Sequence, residues 1–218
     1  MRTTCALLAT LIVPLGCVDG APAVSSDAAV DSNGCGAARA LRATNAQTTD
    51  VISTADNVTC SAEHSADVVR VRICLSPPNP SAAEDSGVTY CAVIDLAASA
   101  LPSLATGAAL TLDGEARFVF QSPSVYRVRP SDVTYTATAP SAAIVRAWLE
   151  KDCFCTPTSL AAAQRFTGAL RLDPAPAGRL RGRITMTADG VMSPTTYLTE
   201  HVELTTGFDL AILPEAAP

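Results

Sequence analysis

Apolar and polar residues alternate along much of the chain, which is the pattern of β-strands with one buried face. The clearest case is residues 67–75, in which Val69 and Val71 fall on one side of the predicted strand and Arg70 and Arg72 on the other. Further strands are predicted at residues 50–55, 88–96, 109–112, 115–120, 124–128, 132–138, 164–172, 179–187, 195–204 and 208–213. The pattern therefore predicts an all-β protein.

Two Asp-Gly pairs and one polar segment predict turns and a loop between these strands. Asp113-Gly114 accepts the positive φ angles of a two-residue type I′ hairpin, so we expect a turn there. Asp189-Gly190 predicts a second turn for the same reason. Residues 60–67, which include a histidine, are interpreted as a loop.

Residues 142–155 fit two patterns. Ile144, Trp148 and Lys151 have the spacing of a helical stripe, whereas the β-branched pair Ile144-Val145 and the Cys-x-Cys sequence that follows favour a strand. We predict a strand. The core of the C-terminal part is predicted from its apolar stripes, with Trp148 nearby, at Leu170, Leu172, Leu180, Ile184, Met186, Phe208, Leu210 and Ile212.

About ten short strands separated by proline and glycine are typical of a β-sandwich or barrel. We favour an antiparallel β-sandwich with Greek-key or meander connections, formed by a single domain at residues 37–218. No internal repeat of about 20 to 50 residues is visible, so a solenoid or propeller is not predicted.

The N-terminus has the three-part layout of a secretory signal. Arg2 gives a small positive region, residues 5–15 form a short apolar run, and Gly16-Cys17 ends it. The run is shorter than the roughly 20 helical residues that cross a membrane, so it predicts a signal and not a membrane span. The Gly16-Cys17 ending resembles the signal of bacterial lipoproteins.

This resemblance implies cleavage before Cys17 and attachment of lipid to its sulfur, which would anchor the chain to a membrane. It divides the chain into a signal peptide at residues 1–16, a flexible tether at 17–36 and the domain. The tether is predicted because this range lacks aromatic residues and any hydrophobic period. The alternative is an ordinary secretory signal cut after Ala23, because Ala21-Pro22-Ala23 fits the small-x-small rule.

Six cysteines follow the signal segment, an even number in a chain that we expect to be exported. Disulfides are the default interpretation in an oxidising compartment, although spacing alone does not define the pairing. The predicted disulfide cysteines are Cys35, Cys60, Cys74, Cys91, Cys153 and Cys155. Cys153 and Cys155 share a strand face, so we expect each to bond elsewhere. The alternative is a metal site formed by this pair with His64 or His201.

The net charge of −6 makes nucleic acid an unexpected partner, because phosphate binding needs concentrated basic surface. Nucleophile-elbow, phosphate-loop and zinc-protease motifs are absent from the sequence, and no cofactor is predicted. We therefore expect a lipid-anchored, non-enzymatic binding or structural module of the cell envelope. Its predicted partners are a membrane, through the anchor, and an envelope protein or glycan.

The alternative function is a secreted hydrolase that acts on a glycan or an ester. Its catalytic groups would be His201 and Glu203 or another carboxylate. Carboxylate pairs for sugar hydrolysis can be drawn from Asp95, Glu115, Glu150 and Glu203, but any acidic β-protein offers such sets.

Overall fold

The computed structural model describes residues 34–44, 49–52, 57–76, 89–120, 133–152, 161–192 and 199–214. These residues are almost entirely extended. The strands are β1 (Cys35–Thr44), β2 (Thr49–Ile52), β3 (Asn57–Ser65), β4 (Val68–Ser76), β5 (Thr89–Ala97), β6 (Ala109–Phe120), β7 (Val133–Ala137), β8 (Ile144–Asp152), β9 (Ala161–Asp173), β10 (Arg179–Met192) and β11 (Thr199–Pro214). A 3-10 turn (Ala98–Ala100) leads into the short helix α1 (Leu101–Leu104). The all-β prediction is confirmed.

All of these strands belong to one hydrogen-bonded sheet, in the order β7-β6-β9-β10-β11-β3-β4-β5-β8. Strand β1 pairs with β11, and β2 pairs with β1. Neighbouring strands are antiparallel except β11 and β3, which run parallel. Strand β11 is therefore the link, because it contacts β10 on one edge and both β1 and β3 on the other.

The sheet folds back on itself, since strands far apart in its order touch. Gln164 of β9 uses its side-chain amide to bond both backbone groups of Leu149 in β8, at 2.7 and 3.0 Å. The sheet has two halves. The β3–β8 half consists only of β3, β4, β5 and β8. The β9–β11 half consists of β9, β10 and β11 together with β1, β2, β6 and β7. The halves are joined by the β11–β3 pair, so a sandwich of two separate sheets stays a prediction.

The core lies between the two halves and is built from their facing apolar stripes. Strand β4 contributes alternate buried residues, as its sequence predicts. The predicted core residues of the C-terminal part are confirmed as buried, apart from Ile212, which is partly buried. Trp148 is also buried. None of the helices in the described ranges is long and apolar enough to cross a membrane.

The turn predicted at Asp113-Gly114 is wrong, because β6 runs straight through it. Both residues pair in the ladder with β9, Asp113 opposite Thr167 and Gly114 opposite Phe166. A Cβ atom at position 114 would lie 2.7 Å from the ring of Phe166. Glycine is therefore needed for the close approach of an aromatic ring and not for a reversal of the chain.

The turn predicted at Asp189-Gly190 is also wrong. The β10–β11 register shifts by one residue between Asp189 and Val191, and Gly190 has φ +88°, so the glycine forms a bulge within a continuing strand. The separate strands predicted at 195–204 and 208–213 are one strand, because the ladder of β11 continues through Gly207.

Several segments differ from the predicted boundaries. The loop predicted at residues 60–67 is instead the end of β3 and a tight turn to β4, so His64 lies in a strand. Strand β1 is not among the predicted strands, and it begins at Cys35, within the range 17–36 assigned to the tether. The strand prediction for 142–155 is confirmed by β8. Cys17, Cys153, Cys155 and residues 124–128 lie outside the described residues.

Candidate binding cleft

A cleft opens at one end of the folded sheet. It is lined by the end of the β3–β4 hairpin, the 3-10 turn with α1, the β9–β10 turn and one residue of β11. Its volume is about 450 Å³. Pockets that take small molecules span roughly 300–1,000 Å³, so the size fits a ligand of that class.

Backbone hydrogen bonds fix the elements around the cleft. The N–H of Ala98 donates to the carbonyl of Asp67 at 2.9 Å, which holds the 3-10 turn against the β3–β4 hairpin. The N–H of Gly107 donates to the carbonyl of Leu172 at 2.8 Å and so holds the chain after α1 against β9. Backbone hydrogen bonds therefore hold the elements around the cleft in place, although its walls come from distant parts of the sequence.

Most residues that line the cleft are apolar. Leu101 and Pro102 contribute from α1, Leu172 and Leu180 from the β9–β10 hairpin, and Ile212 from β11. No phenylalanine, tyrosine or tryptophan is among the described lining residues. The walls thus suit an aliphatic or ring-containing apolar body better than a sugar, which needs stacking or many hydrogen-bond partners.

Charged residues also line the cleft, and positive charge is in excess among them. Arg179 and Arg181 are both lining residues, and both donate hydrogen bonds to the carboxylate of Asp209, at 2.9 Å and 2.8–3.0 Å. Burial by itself raises the pKa of Asp209, but the hydrogen bonds from the two arginines outweigh it and lower this pKa. Two guanidinium groups therefore share one negative charge.

Two disulfides join four of the predicted cysteines. Cys35 of β1 bonds to Cys60 of β3, and Cys74 of β4 bonds to Cys91 of β5. The second pair links residues directly opposite in the ladder, on the face away from the apolar stripe, as the alternation predicts. None of these four cysteines lines the cleft.

The groups proposed for a hydrolase lie on several different strands. His201 lies on the solvent side of β11, where its Nδ1 is 2.6 Å from Asp189 Oδ1 and its Nε2 is 3.4 Å from Glu203 Oε1. Asp95 is fully buried and bonds Arg70. None of these groups lines the cleft. Apart from the two arginines, the titratable residues that line it are His64 and Asp173.

The remaining predicted carboxylates also bond cationic neighbours. Glu150 accepts hydrogen bonds from Arg72 and from the indole of Trp148. Glu115 bonds the exposed Arg117. Within the described ranges, no group of three His, Cys, Asp or Glu residues could hold a metal ion.

The sequence reasoning missed a buried ionic group in the core. Lys151 of β8 contacts the carboxylate of Glu200 in β11, and the hydroxyl of Tyr90 in β5 donates to the same carboxylate oxygen at 3.0 Å. The alternation of the sequence did indicate burial, because Lys151 falls on the same strand face as the buried Leu149, and Glu200 on the same face as the buried Val202. Lysine and glutamate are almost never fully buried unless they are paired, so neither residue alone indicates a place in the core.

The chain matches no protein-family model, and comparison with curated proteins and with solved structures finds no similar chain. The function proposed below is therefore based on the geometry and the sequence alone.

Proposed function

We propose that the protein is a lipid-anchored binding module of the cell envelope, whose cleft takes a small molecule with an apolar body and one anionic group. The cleft is the observation that carries this proposal. Its volume of about 450 Å³ accommodates a small molecule but not a folded partner. Its apolar walls favour burial of an apolar body, at roughly 25 cal/mol per Å² removed from water.

The arginines determine the predicted charge of the ligand. Because Arg179 and Arg181 share Asp209, an anionic group placed beside them would complete the local charge balance. Arginine also suits carboxylate, sulfonate and phosphate groups, since its planar donors bond two oxygens at once. A neutral ligand of the same shape should bind less tightly.

The test uses a pair of fluorescent probes. Anilinonaphthalene sulfonate has an apolar ring system and one anionic group, and phenylnaphthylamine is the same body without the sulfonate. Titration of the purified protein should give tighter binding of the sulfonate. Arg181→Gln should weaken binding of the sulfonate by about three- to tenfold, the loss of one charge-assisted contact, and leave the neutral probe unchanged.

Matched variants separate the cleft from the general surface. Ala105→Phe places a ring among the lining residues and should weaken both probes by about tenfold or more. Ser99→Phe adds the same ring at an exposed position in the neighbouring 3-10 turn, and Arg183→Gln removes an exposed arginine outside the cleft. If these controls weaken binding as much as the cleft variants do, the cleft is not the site.

The lipid anchor is the second part of the proposal, and it is supported by the signal layout and Gly16-Cys17. The measurement is an intact mass of the protein from its native host, taken from the membrane and soluble fractions. A membrane-bound form that begins at Cys17 with added acyl mass is expected. A soluble form that begins at Val24 would overturn the anchor and leave the cleft proposal to its own test.

A further inference from the structure

Lysine occurs once in this chain, at position 151, whereas arginine occurs at fourteen positions. The single lysine is also buried, with its side chain only 3% exposed. A genome that prefers arginine codons explains the scarcity of lysine but not its place in the core. The two cations differ chemically, because a lysine amine can lose its proton and act as a nucleophile, whereas a guanidinium cannot.

The lysine contacts an equally buried carboxylate. Its Nζ touches Oε2 of Glu200, whose side chain is 4% exposed, and it lies 4.8 Å from the centre of the Tyr90 ring. The hydroxyl of Tyr90 donates a hydrogen bond to the same oxygen. The amine, the carboxylate and a hydrogen-bond donor are therefore gathered at one point between the two halves.

A fully buried ion pair of this kind is unfavourable because both charges lose their hydration. Removing an ammonium and a carboxylate from water carries a desolvation penalty of several kcal/mol per ion in proteins, and their attraction often fails to repay it. Transfer of one proton from Nζ to the carboxylate leaves a neutral amine beside a neutral acid, which removes both buried charges. That neutral pair consists of the two reactants of an amide bond.

We propose that Lys151 and Glu200 condense to an intramolecular amide that cross-links β8 to β11. The Nζ lone pair attacks Cδ of Glu200, and a C–N bond forms. The second Nζ proton passes to the departing carboxyl oxygen, the C–O bond breaks, and one water leaves. The reaction needs no oxidant, reductant or activating co-substrate.

The fold supplies what the same reaction lacks in water. Groups held in contact can react with effective concentrations of about 10⁵–10⁸ M, which accelerates the condensation relative to the same reaction between free groups in water. The Tyr90 hydroxyl donates to Oε2, the oxygen that Nζ contacts and that leaves as water, so its hydrogen bond stabilises the charge on this oxygen as the C–O bond breaks. The amide would also join the two halves at a point where neither described disulfide lies, because those link β1 to β3 and β4 to β5.

The cross-link can be assayed without any substitution, because the sequence contains one lysine. The purified protein, reduced and denatured, should have the mass calculated for its own N-terminus and any acyl groups, minus one water. A lysine-specific endoprotease should leave it uncut, because the amide blocks the only cleavage site. Peptide mapping after digestion with a second protease should give a branched peptide that contains both Lys151 and Glu200.

Loss of water alone does not identify the amide, because Asp113-Gly114 and Asp189-Gly190 can each lose water by cyclisation. A chain that has lost water but is cut at Lys151 overturns the proposal. A folded chain with its full mass and a free amine also overturns it. The matched variant Lys151→Arg retains the cation and should keep its full mass, whether or not it folds as well as the parent.

Tyr90→Phe tests the hydroxyl separately, because it keeps the ring against which Lys151 packs. In chains that are isolated unreacted in denaturant and then folded for the first time, the fraction that resists the lysine-specific protease should rise at least several-fold more slowly than in the parent. Equal rates would overturn the role given to the hydroxyl.

Discussion

Each half of the sheet contains an aspartate that two arginines share, but the surroundings of the two differ. In the β3–β8 half, Asp95 is fully buried and contacts Arg70 at 2.8 Å and Arg146 at 2.6 Å. Both guanidinium groups lie over the ring of Trp148, at 5.5 and 5.8 Å from its centre. The hydrogen bonds to Asp95 raise the pKa of Arg70 above its usual value.

In the β9–β11 half, Asp209 keeps 13% of its side chain exposed. Its partners Arg179 and Arg181 lie on an outer face where no ring is described beneath them, and they reach the rim of the cleft. The arginines are similarly exposed in the two halves, so the difference lies in the ring beneath them and in the burial of the shared aspartate.

The strands that carry the two aspartates also differ in burial. Strand β5 carries Asp95 and is buried on both faces along most of its length. Strand β11 carries Asp209 and alternates between buried and partly or fully exposed positions, so it has one solvated face. Arginine pairs over a tryptophan can therefore cover a sheet face that would otherwise meet water.

The largest expected effect comes from removing the buried charge. Asp95→Asn should lower the free energy of unfolding by about 2–3 kcal/mol, because two guanidinium groups lose a desolvated acceptor. The estimate stays below that for a fully buried pair, since both arginine side chains are about 40% exposed. Denaturant unfolding followed by circular dichroism measures the change.

The matched substitution in the other half should have a smaller effect. Asp209→Asn should cost about 1 kcal/mol, because the carboxylate that is lost is itself partly exposed to water. Asp113→Asn, at an exposed position of β6, is the control and should change stability by less than about 0.5 kcal/mol. If Asp209→Asn lowers the free energy of unfolding as much as Asp95→Asn does, then neither the tryptophan ring nor the burial of Asp95 makes its site more stabilising.

The alternation of residues was sufficient to predict strands wherever large apolar side chains mark one face. Strand β4, with Val69 and Val71, is the clearest example. Strand β3 was missed because its buried face contains small residues such as Ala62, which resemble a loop in composition. Gly114 was misread because its partner Phe166 is far away in the sequence, and only the pairing of β6 with β9 shows why glycine is needed.

The cleft could not be predicted from local patterns, since its walls come from four separate parts of the chain. The apolar residues Leu101 and Ile212 become neighbours of one cavity only when β11 pairs with β3 and α1 folds over that end. The sharing of Asp209 by two arginines depends equally on the β10–β11 register. The disulfides were easier to predict, because an even number of cysteines after a segment that resembles a secretory signal predicts disulfides before any pairing is known.

The smallest expected effect concerns a titratable cluster on the solvated face of the β9–β11 half. Hydrogen bonding to Asp189, with a weaker bond to Glu203, raises the pKa of His201 above 6.5, although partial burial opposes the shift. Arg165 lies opposite Asp189 in β9 and brings a cation to the same part of the ladder. Protonated His201 therefore stabilises the fold fully below about pH 6.5, and this contribution is lost as the pH rises through the raised pKa.

Stability should thus fall between pH 6 and 8 by a few tenths of a kcal/mol more in the parent protein than in His201→Gln, within the roughly 0.2–1 kcal/mol of exposed ion pairs. Asp189→Asn removes the main partner and should flatten the same pH dependence while keeping the imidazole. Unfolding in urea at several pH values measures both. If the parent protein instead gains stability over this range relative to His201→Gln, the fold favours the neutral form of the histidine. The ion pairs on the solvated face would then not stabilise the fold.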